Sequence, residues 1–350
     1  MRSFRILAVV GGLLGASMAA SSAEAAAHSC GSMAGQSIAG MVIAKAQPVP
    51  AAPPGTVQVG FSPADKNRVA LPAYCRLEGV IDGRTGADGK PLGLTVAIAL
   101  PADWNGDFLM MGGGGLNGNL AQPLGPVAAG DRPALARGFA VVSTDGGHKG
   151  GGFNDSFTRD QQAGLDFGFN AVPTVATSAK AVVARYYGHA IGKAFFTGCS
   201  TGGREGMEAA ERYPFLFDGI ITGAPAMRTD RSNLALKWAA VAFNRIAPRD
   251  AGGKPMAGAA FSPADRQLII GALLKTCDER DGLKDGMVFD VSGCRFDPEA
   301  LKCAGPKADG CLSGEQAAAI KTAFAGPITP DGRHVYAGHP YDTGMAMAVS

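Results

Sequence analysis

Apolar and polar side chains alternate through residues 75–81, with Cys75, Leu77, Gly79 and Ile81 in phase, whereas residues 94–100 are almost continuously apolar. The first pattern predicts a strand with one buried face, and the second a strand covered on both. Short apolar runs at 107–111, 138–143, 193–197 and 218–222 read as further buried strands. Between them, Val175, Ala179, Val182, Val183 and Tyr186 recur at helical spacing within 173–187, so a helix should pack on the sheet just before the 193–197 strand. Strands alternating with helices predict an α/β domain with a mostly parallel sheet and helices on both faces. After Met227 the alternation ends. Residues 233–246 and 263–276 read as helices, followed by a stretch rich in cysteine and aspartate, which suggests a cap inserted after the first half of the sheet.

The chain starts with a pattern of export rather than of folding. Arg2 and Arg5 precede an apolar stretch at 6–20, and Ala23 and Ala25 supply a small-x-small cleavage site, so residues 1–25 read as a signal peptide. Residues 26–60 read as an N-terminal segment ending in a Pro-rich connector that begins near Gln47, 61–226 as the α/β core, and 227–350 as the lid. The apolar run is too short and glycine-rich for a membrane span, so the mature protein is expected to be secreted or periplasmic. In an oxidising compartment the seven cysteines read as disulfides, with one left over. Cys277 with Cys294 and Cys303 with Cys311 form local pairs, Cys30 and Cys75 tie the N-terminal segment to the first strands, and Cys199 remains single. A net charge of +2 with 18% charged residues gives no electrostatic footprint for nucleic acid or an anionic membrane.

Candidate chemistry centres on Gly198, Cys199, Ser200, Thr201 and Gly202, between a strand-length apolar run and a helix-forming segment. A serine at such a turn is presented above the sheet edge, and the small flanking residues let strand and helix approach. Ser200 is therefore the candidate nucleophile, with the N–H of Thr201 aimed where an oxyanion would form. The glycine loop 112–118 follows an apolar strand and is placed to give the second oxyanion donor; a flexible turn would look the same in sequence. A serine needs a base, usually a histidine held by a carboxylate and located later in the chain. His334 and His339 lie in loop-like sequence and fit surface roles better; His148, just past a strand, precedes the serine; His28 and His189 have no supporting context. The base is expected to lie outside this sequence. Asp278, Asp281 and Asp285, separated by glycines, present oxygen-only ligands suited to calcium, although Asp-Gly pairs also make ordinary turns.

Together these stretches resemble the tannase and feruloyl esterase family, which includes the hydrolase of mono(hydroxyethyl) terephthalate. The resemblance is carried by Trp104, Asn105 and Gly106, the 112–118 loop, the run from Thr144 to His148, the run from Ala184 to Gly188, the 198–206 segment and the 277–287 loop. It covers most of residues 70–325. It implies an α/β-hydrolase fold with an inserted calcium-binding lid, Gly115 and Thr201 as oxyanion donors, and a structural calcium held by Asp278, Asp281 and Asp285 with the carbonyls of Leu283 and Met287. It also implies a triad histidine followed at once by a cysteine bonded to the one before the serine. No His-Cys pair occurs here, so the expectation is that the C-terminal part of the core, with the triad Asp and His and the partner of Cys199, is missing.

The implied function is hydrolysis of a small aromatic ester, of galloyl, feruloyl or terephthaloyl type, through an acyl-enzyme, with this 350-residue chain alone expected to show little activity. The alternative is a catalytically inactive, calcium-stabilised fragment or binding module.

Overall fold

The computed structural model describes residues 29–59, 63–86, 88–126 and 132–346; the signal segment and His28 lie outside them. The chain divides into two compact units, the first ending at Ala226 and the second beginning at Met227.

The first unit is built on an eight-stranded sheet. Its strands are β1 (Ser37–Ile38), β2 (Met41–Val49), β3 (Tyr74–Thr85), β4 (Pro91–Pro101), β5 (Phe108–Met111), β6 (Ala140–Thr144), β7 (Ala194–Cys199) and β8 (Gly219–Gly223). They lie in the order β1-β2-β3-β4-β6-β5-β7-β8. Among the described residues of this unit the α-helices are α1 (Gln161–Leu165), α2 (Ala171–Tyr187) and α3 (Thr201–Arg212).

The sheet is less parallel than its sequence suggests. Pairings from β1 to β4, and of β4 with β6, are antiparallel, while β5 pairs in parallel with β6 and β7, and β7 with β8. The physical reason is connection length: β1 through β4 follow one another without a crossover helix, and a strand that returns directly must run antiparallel. The alternation in β3 places Cys75, Leu77, Gly79 and Ile81 in the interior, and β4 is buried on both faces over its second half.

Residues 26–60 also contribute to the sheet. Met41–Val49 is a full strand in register with β3, Met41 opposite Ile81 and Val49 opposite Tyr74, so the expected connector starts inside the sheet. Pro48 sits there opposite Cys75. It is tolerated because β1 covers only the far end of β2, leaving this stretch of β2 at an edge where no ladder N–H is required. The Cys30–Cys75 disulfide joins the preceding turn to β3. The core of the unit packs Leu77, Ile98, Phe108, Met110 and Phe196 against the Val175, Ala179, Val182 and Val183 face of α2.

The second unit contains α4 (Thr229–Ile246), α5 (Pro263–Cys277) and α6 (Gly314–Ala325). Both α5 and α6 begin with capping boxes, Ser262 with Asp265 and Ser313 with Gln316. The two caps are joined, since Gln316 Nε2 donates to Asp265 Oδ2 at 3.0 Å and Lys307 pairs with Asp265 at 2.8 Å. Ile269, Leu273, Phe296, Leu312 and Ile320 form its core. The Cys277–Cys294 and Cys303–Cys311 disulfides fasten the loops between these helices. Among the described residues no helix is long and apolar enough to cross a membrane.

Candidate active site

Ser200 is the single residue between the end of β7 and the start of α3. Its backbone takes φ 59° and ψ −117°, a conformation that costs a non-glycine residue about 1–3 kcal/mol and persists only where the surroundings enforce it. Enforcement comes from three hydrogen bonds. The Ser200 N–H donates to Gly223 O on β8, and the Ser200 carbonyl accepts from Arg204 and Ala226, each at 3.0 Å. The glycines predicted to allow close approach do so: a Cβ on Gly202 would meet Gly113 O at 2.8 Å and Gly112 C at 3.0 Å.

The glycine loop after β5 folds over the start of α3. Gly202 N–H donates to Gly113 O at 2.9 Å, and the Thr201 hydroxyl donates to the Gly115 carbonyl. Gly115 (φ 57°) is itself pinned against the chain at Gly152, whose carbonyl accepts the Leu116 N–H at 2.8 Å. Ser200, Thr201 and Gly115 are therefore brought together, as the sequence leads one to expect. As the first residue of α3, Thr201 has an amide with no intrahelical acceptor, at the positive end of the helix dipole.

Glu205 escaped the sequence reading. Only 6% exposed, it accepts the Gly113 N–H at 2.9 Å on Oε2 and Asn117 Nδ2 at 3.0 Å on Oε1. Burial pushes its carboxyl pKa up, opposed by these two donors and by the Arg204 charge. Arg204 in turn reaches the carbonyls of Gly168 and Phe167 at 2.8 and 3.0 Å and lies over the Phe167 ring.

Among the described residues of the first unit, no histidine is hydrogen-bonded to Ser200. His148 is 2% exposed and stacked on Phe157, with ring centroids 3.6 Å apart. Neither of its ring nitrogens makes a well-formed hydrogen bond, so it is not paired with Ser200. Burial lowers its pKa, opposed by the Asp145 carboxylate and the carbonyls of Leu116 and Gly146. His189 is exposed and stacks on Trp104. His334 and His339 are exposed in the second unit. Cys199 is exposed and free.

The carboxylates of the aspartate loop are engaged by nearby backbone N–H groups. Asp278 Oδ1 accepts the N–H groups of Asp285 and Gly286 at 3.1 and 3.0 Å, Asp281 accepts from Leu283 at 2.9 Å, and Asp285 from Met287 at 3.1 Å. Each carboxylate thus closes a local turn through its Oδ1. Among the described residues no group of three His, Cys, Asp or Glu side chains is arranged to hold a metal.

A sheet in the order β4-β6-β5-β7-β8, parallel from β6 onward, with a strained serine between β7 and the following helix, defines the α/β-hydrolase fold. The sequence profile described as tannase and feruloyl esterase matches residues 75–350, and the chain belongs to that family. It is 40% identical over 306 residues to mono(2-hydroxyethyl) terephthalate hydrolase of Piscinibacter sakaiensis, covering 81% of this chain and 51% of that protein. It is 33% identical over 249 residues to a probable feruloyl esterase B-2 of Aspergillus flavus, covering 69% and 44% respectively. The crystal structure of feruloyl esterase B from Aspergillus oryzae superposes with a TM-score of 0.67 at 24% identity, over 89% of this chain and 59% of that one. The chain spans about half the length of the curated relatives it matches.

Proposed function

We propose that this chain carries the nucleophile and oxyanion elements of a secreted serine carboxylic ester hydrolase that cleaves small aromatic esters through an acyl-enzyme. The observation that carries this reading is the strained backbone of Ser200, φ 59°, held with Thr201 and Gly115 at one end of the sheet. Strain of this kind clusters at active sites, and a serine at such a turn presents its hydroxyl above the sheet end. The Ser200 oxygen would attack the ester carbonyl, its proton passing to the departing alkoxide. Water would then cleave the acyl-serine ester to release the acid and restore Ser200, with the Gly115 and Thr201 N–H groups stabilising each oxyanion. The aromatic character of the acid is supported by relatives named for terephthalate and feruloyl esters. Secretion is supported by the basic-apolar start of the chain and by three disulfides.

A structural calcium on the 277–287 loop rests on donor chemistry alone, three carboxylates with the carbonyls of Leu283 and Met287. Each carboxylate holds a backbone N–H through Oδ1 and keeps its second oxygen for a ligand, and no catalytic role is assigned to an ion there.

A binding module without turnover is the competing reading, favoured by the absence of a histidine hydrogen-bonded to Ser200 among the described residues of the first unit. Hydrolysis of 4-nitrophenyl benzoate by the complete natural protein separates the two. Ser200→Ala is expected to remove at least about a thousandfold of kcat while leaving the circular dichroism unchanged. Full activity in that variant would move the nucleophile elsewhere, and no activity in the unaltered protein would favour the binding module.

A further inference from the structure

We propose that Glu205 is a positioning residue for acyl transfer, its buried carboxylate holding the loop of one oxyanion donor against the helix that carries the other. This inference rests on Ser200 as nucleophile with Gly115 and Thr201 as donors. Glu205 lies four residues after Thr201 on α3, so the two share a helix face. Its two oxygens bind Gly113 at 2.9 Å and Asn117 at 3.0 Å, two residues to either side of Gly115. The carboxylate therefore spans the base of the loop and fixes the separation of the Gly115 and Thr201 amides.

The choice of a carboxylate for this place calls for an explanation. A fully buried acid is costly, and an apolar side chain of similar volume would pack without that cost. What it could not do is accept a backbone N–H and an amide N–H at once. The Arg204 charge opposes the effect of burial only weakly, and its guanidinium is engaged with Glu208 and with the carbonyls of Phe167 and Gly168. The Asn117 side chain is itself buried, at a backbone φ of 53°, and its Oδ1 has no hydrogen-bond partner, so its packing serves the single bond to Glu205. That idle oxygen also makes a conservative replacement possible. In Glu205→Gln the amide oxygen keeps the Gly113 bond, and the amide nitrogen meets the Asn117 oxygen once Asn117 turns over.

The test compares three variants of the complete natural protein on an aryl ester, assayed well below each measured Tm. Glu205→Leu is expected to lower kcat about a hundredfold with KM within about threefold, since a displaced oxyanion donor affects the transition state and not the ground state. Glu205→Gln should retain kcat within about tenfold. Asn117→Gly, which suits the left-handed backbone, should lower kcat about tenfold at unchanged KM. A folded Glu205→Leu with unaltered kcat would overturn the positioning role, as would one that loses kcat no more than Glu205→Gln. If Glu205→Leu does not fold, unaltered kcat in Asn117→Gly has the same force. Ser200→Ala run alongside keeps the two ideas apart: retained activity there defeats the nucleophile assignment, whereas an inactive Ser200→Ala with a fully active Glu205→Leu defeats only the role of Glu205.

Discussion

Gly202→Ala isolates the close approach on which the site depends. The added Cβ would meet Gly113 O at 2.8 Å, Gly112 C at 3.0 Å and Gly112 Cα at 3.1 Å, all of them backbone atoms of the oxyanion loop. Backbone cannot rotate away as a side chain can, so the loop must withdraw by about half an ångström, at a cost of roughly 1–3 kcal/mol. Helix propensity acts the other way, since alanine in place of glycine contributes about 0.8–1 kcal/mol. The difference leaves a net destabilisation of about 1 kcal/mol. Activity should suffer more than stability. The same displacement stretches the Gly202 N–H to Gly113 O bond, now 2.9 Å, and carries Gly115 away from the oxyanion position. Misplacement on this scale is expected to lower kcat about 10- to 100-fold. Urea titration followed by intrinsic fluorescence gives the first quantity, and steady-state hydrolysis of an aryl ester gives the second. A Gly202→Ala protein at least as stable as the parent, with unaltered kcat, would show that the loop does not rest on α3.

Gly271→Ala in α5 provides the matched control: nothing lies within 4 Å of the added Cβ, so chemical denaturation should show a gain of about 0.8–1 kcal/mol in the transition of its own unit. His148 is buried with a lowered pKa, so the unfolded state binds more protons than the folded one, and stability falls as pH drops below the ordinary value of 6.5. His148→Phe should remove that part of the pH dependence, which urea midpoints at pH 7.5 and pH 5 will read. If the 277–287 loop takes up calcium, added calcium chloride should raise the Tm and Asp281→Ala should abolish the rise; a Tm indifferent to calcium, chelator and Asp281→Ala together would remove the ion from consideration.

The sequence was most informative where local chemistry decides the outcome. Glycines on either side of Ser200 demand a tight turn, and the alternation around Leu77 has only one face to bury. Three disulfides followed from spacing and from the odd number of cysteines. What stayed hidden depends on partners distant in the chain. Glu205 sits among charged neighbours and reads as solvated, because the residues that bury it, Gly113 and Asn117, lie 92 and 88 positions away. The end of strand β2, Gln47 to Val49, looked like the start of a linker because Gln47 and Pro48 suit a sheet edge as well as a loop. The aspartate loop shows the opposite limit: spacing gave three carboxylates within reach of one another, yet each is engaged by a neighbouring backbone N–H.

The central claim, that Ser200 is the nucleophile, is tested most directly by covalent capture. The complete natural protein is treated with an aryl fluorophosphonate and digested, and the modified residue is located by tandem mass spectrometry. One adduct per chain, on Ser200 in the peptide that also carries Cys199 and Thr201, is the expected result, with labelling abolished in Ser200→Ala. An adduct on any other residue, or labelling undiminished in Ser200→Ala, would contradict it.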